Sequence, residues 1–183
     1  MQPTIDISTR PRPHAVHELI HYATGQSKLG TVLVAVSESG IVAVLIGDEV
    51  DDLFLDLEQR FPAAYFAEDA DKAPVAQVIA YFDHPTDAFA LPLDLRGTAF
   101  QRQVWSALQA IPAGKTESYS DVAVALGHPN GARAVAAACA ANKLAVVIPC
   151  HRVVGKNGDL SGYRWGLDRK RQLIDREAAE QAG

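Results

Sequence analysis

The sequence predicts an α/β (α+β) chain made of two units, a small sheet covered by helices over residues 1–92 and a mainly helical unit over residues 93–183. Three observations carry this reading. Two runs rich in β-branched residues, Thr31 to Val36 and Ile41 to Ile46, are joined by the hairpin-length turn Ser37-Glu38-Ser39-Gly40. After Arg96 a helical period takes over, with capping residues where helices should begin. The charge changes sign at the same place: residues 1–96 carry 6 Lys+Arg against 15 Asp+Glu, and residues 97–183 carry 11 against 7. The second half can therefore meet phosphate while the first repels it, unless the asymmetry is only an uneven surface.

Composition narrows the class further. With 183 residues and 48% hydrophobic content, the chain can fill one sizeable core or two small ones. Two cysteines, Cys139 and Cys150, are too few for a disulfide framework and read as reduced intracellular thiols. Met1 to Arg12 lacks a basic start followed by an apolar core, and no run is long enough to span a bilayer. The expectation is a cytoplasmic monomer with no membrane partner and no metal or cofactor. His14, His17 and His21 have a separation that suits one helical face, but His21 falls in a strand-like segment without nearby cysteine, so structural roles are expected for all three.

In order, a Pro-rich start precedes strands at Glu18 to Ala23, Thr31 to Val36 and Ile41 to Ile46. Asp48 is placed to cap a helix running to Phe61, with Leu53, Leu57 and Phe61 on one face and Pro62 as its stop. A second helix is expected from Pro74 to Phe82, and Ala88 to Arg96 reads as the connection between units. Thr98 and Gln101 form a capping box for a helix from Ala99 to Ile111, whose buried stripe is Phe100, Val104, Leu108 and Ile111. Ser118 or Ser120 caps a short helix, Asp121 to Leu126, closed by Gly127; a turn then leads into the alanine-rich helix Ala132 to Ala141. Helix, tight turn, helix is either a helix-turn-helix or an ordinary helical hairpin. The last helix starts at Asp168 and puts Lys170, Leu173, Ile174 and Glu177 on one face, so a carboxylate points inward and requires a partner.

Chemistry concentrates at Ile148-Pro149-Cys150-His151-Arg152-Val153. A thiol with an ordinary pKa of about 8.5 is only a few per cent ionised at neutral pH, so Cys150 needs a base. On an extended segment, neighbouring side chains diverge, and His151 would reach the sulfur through a water or around a turn. His151 in turn requires an orienting group, for which Glu177 is the candidate. Asn142 is either a routine helix end or the hinge that aims the cysteine segment. Ser161 to Gly166 is a glycine-rich aromatic loop suited to a planar ligand, or a surface loop anchored by Trp165. Two functions remain open on these residues: a cysteine hydrolase and a non-enzymatic helix-turn-helix DNA binder.

The motif Pro149-Cys150-His151-Arg152-Val153, with Arg133, Asn142, Tyr163, Lys170 and Glu177 at matching distances around it, resembles the O6-alkylguanine-DNA alkyltransferases, in particular the C-terminal part of bacterial adaptive-response (Ada) proteins. The resemblance is strong from Arg96 to Glu177 and weaker but continuous before it. It implies a ribonuclease-H-like first domain and a winged-helix-like second one. It further implies single-turnover, irreversible transfer of the alkyl group from O6-alkylguanine, and O4-alkylthymine, in double-stranded DNA to Cys150. By the same resemblance His151 and Glu177 activate the thiol and Asn142 joins the catalytic set. Tyr119 assists nucleotide rotation and Lys170 supports the leaving guanine. Val153, Tyr163 and the amide of Arg164 line the pocket; some relatives carry Ser at the Arg164 position, so the amide is what carries over. Arg133 fills the vacated stack, with Ala132 and Ala134 permitting close approach to the minor groove. The cysteine-rich zinc domain of Ada proteins finds no ligands in this sequence, so phosphotriester repair and its transcriptional switch are not implied.

Overall fold

The computed structural model describes residues 17–69, 71–85 and 89–182; the Pro-rich start, His14 and Ala88 lie outside the described residues. The first half is a four-stranded sheet. Strands β1 (Glu18–Ser27), β2 (Gly30–Ser37) and β3 (Gly40–Gly47) form an antiparallel meander in which Val34 pairs with both Ala23 and Val44. A fourth strand, β4 (Ala64–Glu68), lies parallel to β1 and completes the order β3-β2-β1-β4. Sequence reasoning missed β4 because its residues lack β-branching; pairing with β1 makes it a strand. Gly40 sits at φ +134 in the turn between β2 and β3, where a Cβ would run into the Pro92 carbonyl, so the close approach of the connecting segment requires glycine.

Helices α1 (Val50–Arg60) and α2 (Ala73–Asp83) pack on this sheet through Leu53, Leu57, Val75, Val78 and Phe82. Asp48 does not cap α1. Glu49 occupies the cap position without a side-chain bond, and the Asp48 carboxylate accepts instead from Arg169 at 2.5 Å. A tertiary ion pair thus takes the group that the local pattern assigned to the helix end.

In the second half, α3 (Ala99–Gln109) starts at the reciprocal capping box of Thr98 and Gln101. It ends two residues earlier than its apolar stripe suggests, because Ile111 bonds back to Leu108 in a tighter turn ahead of Pro112. Ser118 caps α4 (Tyr119–Ala125), and α5 (Ala132–Ala140) follows the turn at His128 to Gly131. Trp105 of α3 donates from its indole N–H to the Ala138 carbonyl at 2.9 Å, fixing α5 against α3. The short strand β5 (Glu117–Ser118) pairs in parallel with β6 (Val153–Val154), and α6 (Leu167–Ala182) closes the described chain.

The edge of β3 is the seam between the halves. Ile41 exchanges backbone bonds with Pro92 and Asp94 (2.9 Å each), and Val44 does so with Lys143 and Ala145 (2.8 and 3.0 Å). This covers a sheet edge that would otherwise be open. It also ties the sheet to the segment that leads from α5 to Cys150. Arg96 adds a forked ion pair to Glu18, at 2.6 and 2.5 Å, while bonding Asp94, which also accepts from Ser37. No helix among the described residues is long and apolar enough to cross a membrane.

Candidate active site

The segment between Asn142 and Cys150 is folded on itself rather than extended. Asn142 is almost fully buried; its amide N–H group reaches the carbonyls of Leu144 (3.3 Å) and Ile148 (3.0 Å), and its Oδ1 accepts from the Leu144 amide at 2.8 Å. The same Nδ2 lies 3.3 Å from Cys150 Sγ. Ala141 takes the helix cap, so Asn142 is the hinge that ties the loop to the thiol. At the apex Val146 holds φ +65, a left-handed conformation that is strained for a β-branched residue, and it is wholly buried there.

Cys150–Arg152 form one 3-10 turn, with the Arg152 amide bonded to the Pro149 carbonyl at 3.0 Å. The extended geometry expected for this stretch is therefore replaced by a turn that spaces successive side chains about 120° apart. Cys150 faces a cavity, and His151 and Arg152 face Glu177 on α6. His151 Nε2 is 2.7 Å from Glu177 Oε1; Arg152 donates from Nε to Oε2 at 2.9 Å and from Nη2 to Oε1 at 3.0 Å. The Gly114 amide adds a fourth bond to this carboxylate at 3.1 Å, and Arg152 Nη1 reaches the Ile111 carbonyl at 2.6 Å.

Electrostatics follow from this packing. Burial pushes the Glu177 carboxyl up, but the bonds and charges of His151 and Arg152 outweigh it and hold the group at about 2. Burial lowers the pKa of His151 despite Glu177, so the imidazole is neutral. A carboxylate only accepts, which places the ring proton on Nε2 and leaves Nδ1 with a lone pair. That Nδ1 is buried without a hydrogen-bond partner among the described residues. Burial pushes the Cys150 thiol up to about 11, against the opposing pull of the Asn142 bond and Lys170. The thiol at rest is protonated and waits for a base.

The cavity measures about 690 Å³. Its walls are Tyr119 and Ser120 of α4, Ala132, Arg133, Ala136, Cys139 and Ala140 of α5, Cys150, and the loop residues Lys156 and Ser161 to Arg164. Arg133 is exposed at its rim and bonds no described residue. Tyr119 donates to the Ser161 carbonyl at 2.9 Å, and burial moves its hydroxyl to about 12. Lys170 is fully buried behind the wall. Its ammonium holds the Val153 carbonyl at 2.6 Å and those of Ser161 and Gly162 at 3.3 Å, and burial depresses its pKa. Val153 is likewise buried and meets the cavity only through the residues around it. Ala134 is exposed on a different face of α5, since the helical period gathers 132, 133, 136, 139 and 140 on the cavity side. His17 bonds the Ala63 carbonyl and packs on Tyr65, and no metal-binding cluster of His, Cys, Asp or Glu occurs among the described residues.

Two participants were not legible as such in the sequence. Arg152 stands in the motif yet shows its role only when α6 brings Glu177 alongside. Cys139, which the sequence marks only as a reduced thiol, is buried but also lines the cavity; burial pushes its thiol up to about 12, so it is the less ionisable of the two.

Residues 99–179 match the family model for the DNA-binding domain of 6-O-methylguanine DNA methyltransferase, and residues 20–95 match the model for its ribonuclease-like domain. The chain is 50% identical over 184 residues to the bifunctional transcriptional activator/DNA repair enzyme Ada of Escherichia coli, covering 96% of this chain but 50% of that protein. It thus spans about half the length of that relative. The inducible methylated-DNA-protein-cysteine methyltransferase of Bacillus subtilis is 42% identical over 73% of this chain and 78% of its own. Among solved structures, Mycobacterium tuberculosis OGT in complex with DNA superposes with a TM-score of 0.73 at 37% identity, covering 87% of this chain and 93% of that one. With both halves matched in order and the thiol, imidazole and carboxylate assembled within the second, the chain belongs to the 6-O-methylguanine DNA methyltransferase family.

Proposed function

We propose that this chain repairs DNA by moving the alkyl group of O6-alkylguanine onto Cys150, irreversibly and once per molecule. The observation that carries this is a shared cavity: the buried thiol and Arg133, on the second helix of the helix-turn-helix, open onto the same space. A base can enter that space only by leaving the DNA stack. His151 Nδ1, through a bridging water, takes the thiol proton, and Glu177 with Arg152 stabilises the imidazolium that forms. The thiolate attacks the alkyl carbon, the carbon–O6 bond breaks, and its electron pair passes to the guanine. Tyr119, held by Ser161, assists protonation of the departing guanine, and the positive charge of Lys170 offsets the negative charge that builds on it. The product is a thioether, which no group in the site can cleave.

The remaining residues take supporting roles in this reading. Tyr163 and the Arg164 amide frame the base with Val153 packed behind them, Arg133 occupies the vacated stack, and Ala132 and Ala134 let α5 approach the minor groove. O4-alkylthymine fits the same chemistry. The chain works as two units, 1–92 and 93–183, in the cytoplasm. A cysteine hydrolase is less well supported, because it leaves Arg133 and the helix-turn-helix beside the cavity without a role. Incubation with duplex DNA containing O6-methylguanine should add one methyl per chain, mapped to Cys150 by peptide mass spectrometry. Methyl on Cys139, or none at all, rules the reading out.

A further inference from the structure

The loop Ser161 to Gly166 forms one wall of the cavity, and it is held from two sides. The inner side is anchored by Lys170 and Tyr119 on the carbonyls of Ser161 and Gly162. The outer side is anchored by the first half of the chain. Arg164, a lining residue, donates from Nη2 to Asp56 Oδ1 of α1 at 2.6 Å, across 108 positions of sequence. The other oxygen of Asp56 accepts from Arg60 Nε at 2.9 Å, which fixes the carboxylate on its helix. Gly162 and Gly166, at φ +60 and +99, bracket the span between these anchors and are its natural pivots. Arg169 braces the far end, bonding the Trp165 carbonyl, the Leu29 carbonyl and Asp48 at once.

We propose that Asp56 is a positioning residue for the transfer reaction: through Arg164 it sets how far this wall stands from Cys150, and so which alkyl groups the cavity accepts. The inference rests on the alkyl-transfer reading above. With the clamp closed, residues 163 to 165 are held against the cavity and a methyl group is presented to the sulfur at short range. With it open, the span turns about its two glycines. Methyl transfer slows because the base is held less firmly, while longer groups gain room. Asp56 touches neither substrate nor thiol and acts only through Arg164.

The test compares Asp56→Asn, Arg164→Gln and the double variant with the full wild-type chain. Each reacts with duplexes carrying O6-methylguanine or O6-propylguanine, and the readout is the ratio of the two transfer rates. A merely structural loss would slow both lesions together and leave the ratio alone. Each single variant should raise the propyl-to-methyl ratio by at least about threefold, and the double variant should rise no further, as expected for two halves of one contact. Asp56→Asn removes charge between two guanidinium groups, so its folding is checked by thermal melting; Arg164→Gln leaves the Asp56 pair with Arg60 intact and tests the same clamp without that risk. For the wild type the ratio should climb with salt toward the variants' value, since the Arg164 pair is solvent-accessible and screened, while DNA-binding effects cancel between the lesions. An unchanged ratio in Arg164→Gln, or strictly additive effects, overturns the proposal. Absence of any alkyl uptake by the wild type would instead overturn the transfer reading itself.

Discussion

At Cys150 the proposed transfer divides two tasks that a catalytic dyad usually shares: Asn142 bonds the sulfur, and His151, whose Nε2 is committed to Glu177, would take the proton on Nδ1. Cys150→Ser should retain lesion binding and lose transfer completely, because a hydroxyl of similar size is far less ionisable and nucleophilic; mass spectrometry and a mobility shift read the two properties separately. Asn142→Ala leaves the buried Leu144 amide without its acceptor, a loss of about 1–3 kcal/mol in unfolding free energy. It should also slow transfer by more than the stability change explains, measured by denaturant melts alongside single-turnover rates. The pH dependence of stability follows from three buried groups. Glu177, held near 2, and His151, held below its ordinary value, favour the fold above their unfolded pKa values, so that contribution is lost as pH falls through 6.5 and then through 4.5 towards 2. Cys150, raised to about 11, favours the fold below 9 and loses that contribution as pH climbs from 9 to 11. Thermal melts across pH should fall at both ends, and Cys150→Ser should flatten the alkaline limb.

On the scale of elements, α5 is a helix designed by subtraction. Its alanines leave little to pack, so Val135, Ala138 and Cys139 bury one face while the smooth remainder carries one long cation, Arg133. If Arg133 enters the vacated stack, Arg133→Ala should cut transfer from duplex DNA at least tenfold, or about 1.4 kcal/mol, and barely change reaction with a lesion in a single strand. Equal losses on both would reduce it to a phosphate contact or a support of the fold. The capping box of α3 is a second local device: Thr98→Ala removes one bond to the Gln101 amide and should lower stability by about 1 kcal/mol, readable as a shift in urea midpoint at constant slope.

Taken whole, the molecule joins an acidic half to a basic one through the edge of β3 and a ring of arginine–carboxylate pairs. The core runs without interruption from Ile20 in the sheet to Leu173 in α6. A fragment of residues 93–183 alone would expose the apolar surface that covers β3 and lose the backbone bonds of Val44 that brace the loop behind Cys150. It should therefore melt less cooperatively than the full chain and transfer no detectable methyl, checked by circular dichroism and intact mass. Cooperative melting with normal transfer would show that the sheet is dispensable to the thiol.

Local signals were enough for much of this. Runs rich in β-branched residues marked β2 and β3, caps marked α3 and α4, and the spacing of Lys170, Leu173 and Glu177 placed a carboxylate on the buried face of α6, because each of these follows from contacts within a few residues. The motif around Cys150 marked the proposed nucleophile and its neighbours. What the sequence alone could not decide is set by contacts that no local repeat specifies. β4 is a strand only because β1 lies beside it, Asp48 abandons its helix for Arg169, and Asn142 is a hinge because Ile148 and Cys150 fold back onto it. Arg152 met Glu177 only once α6 was brought to it, and Asp56 of α1 met Arg164 across 108 positions. Such roles depend on where an ion or a carbonyl lies in space, and burial makes them strong; no local pattern of residue types encodes that distance.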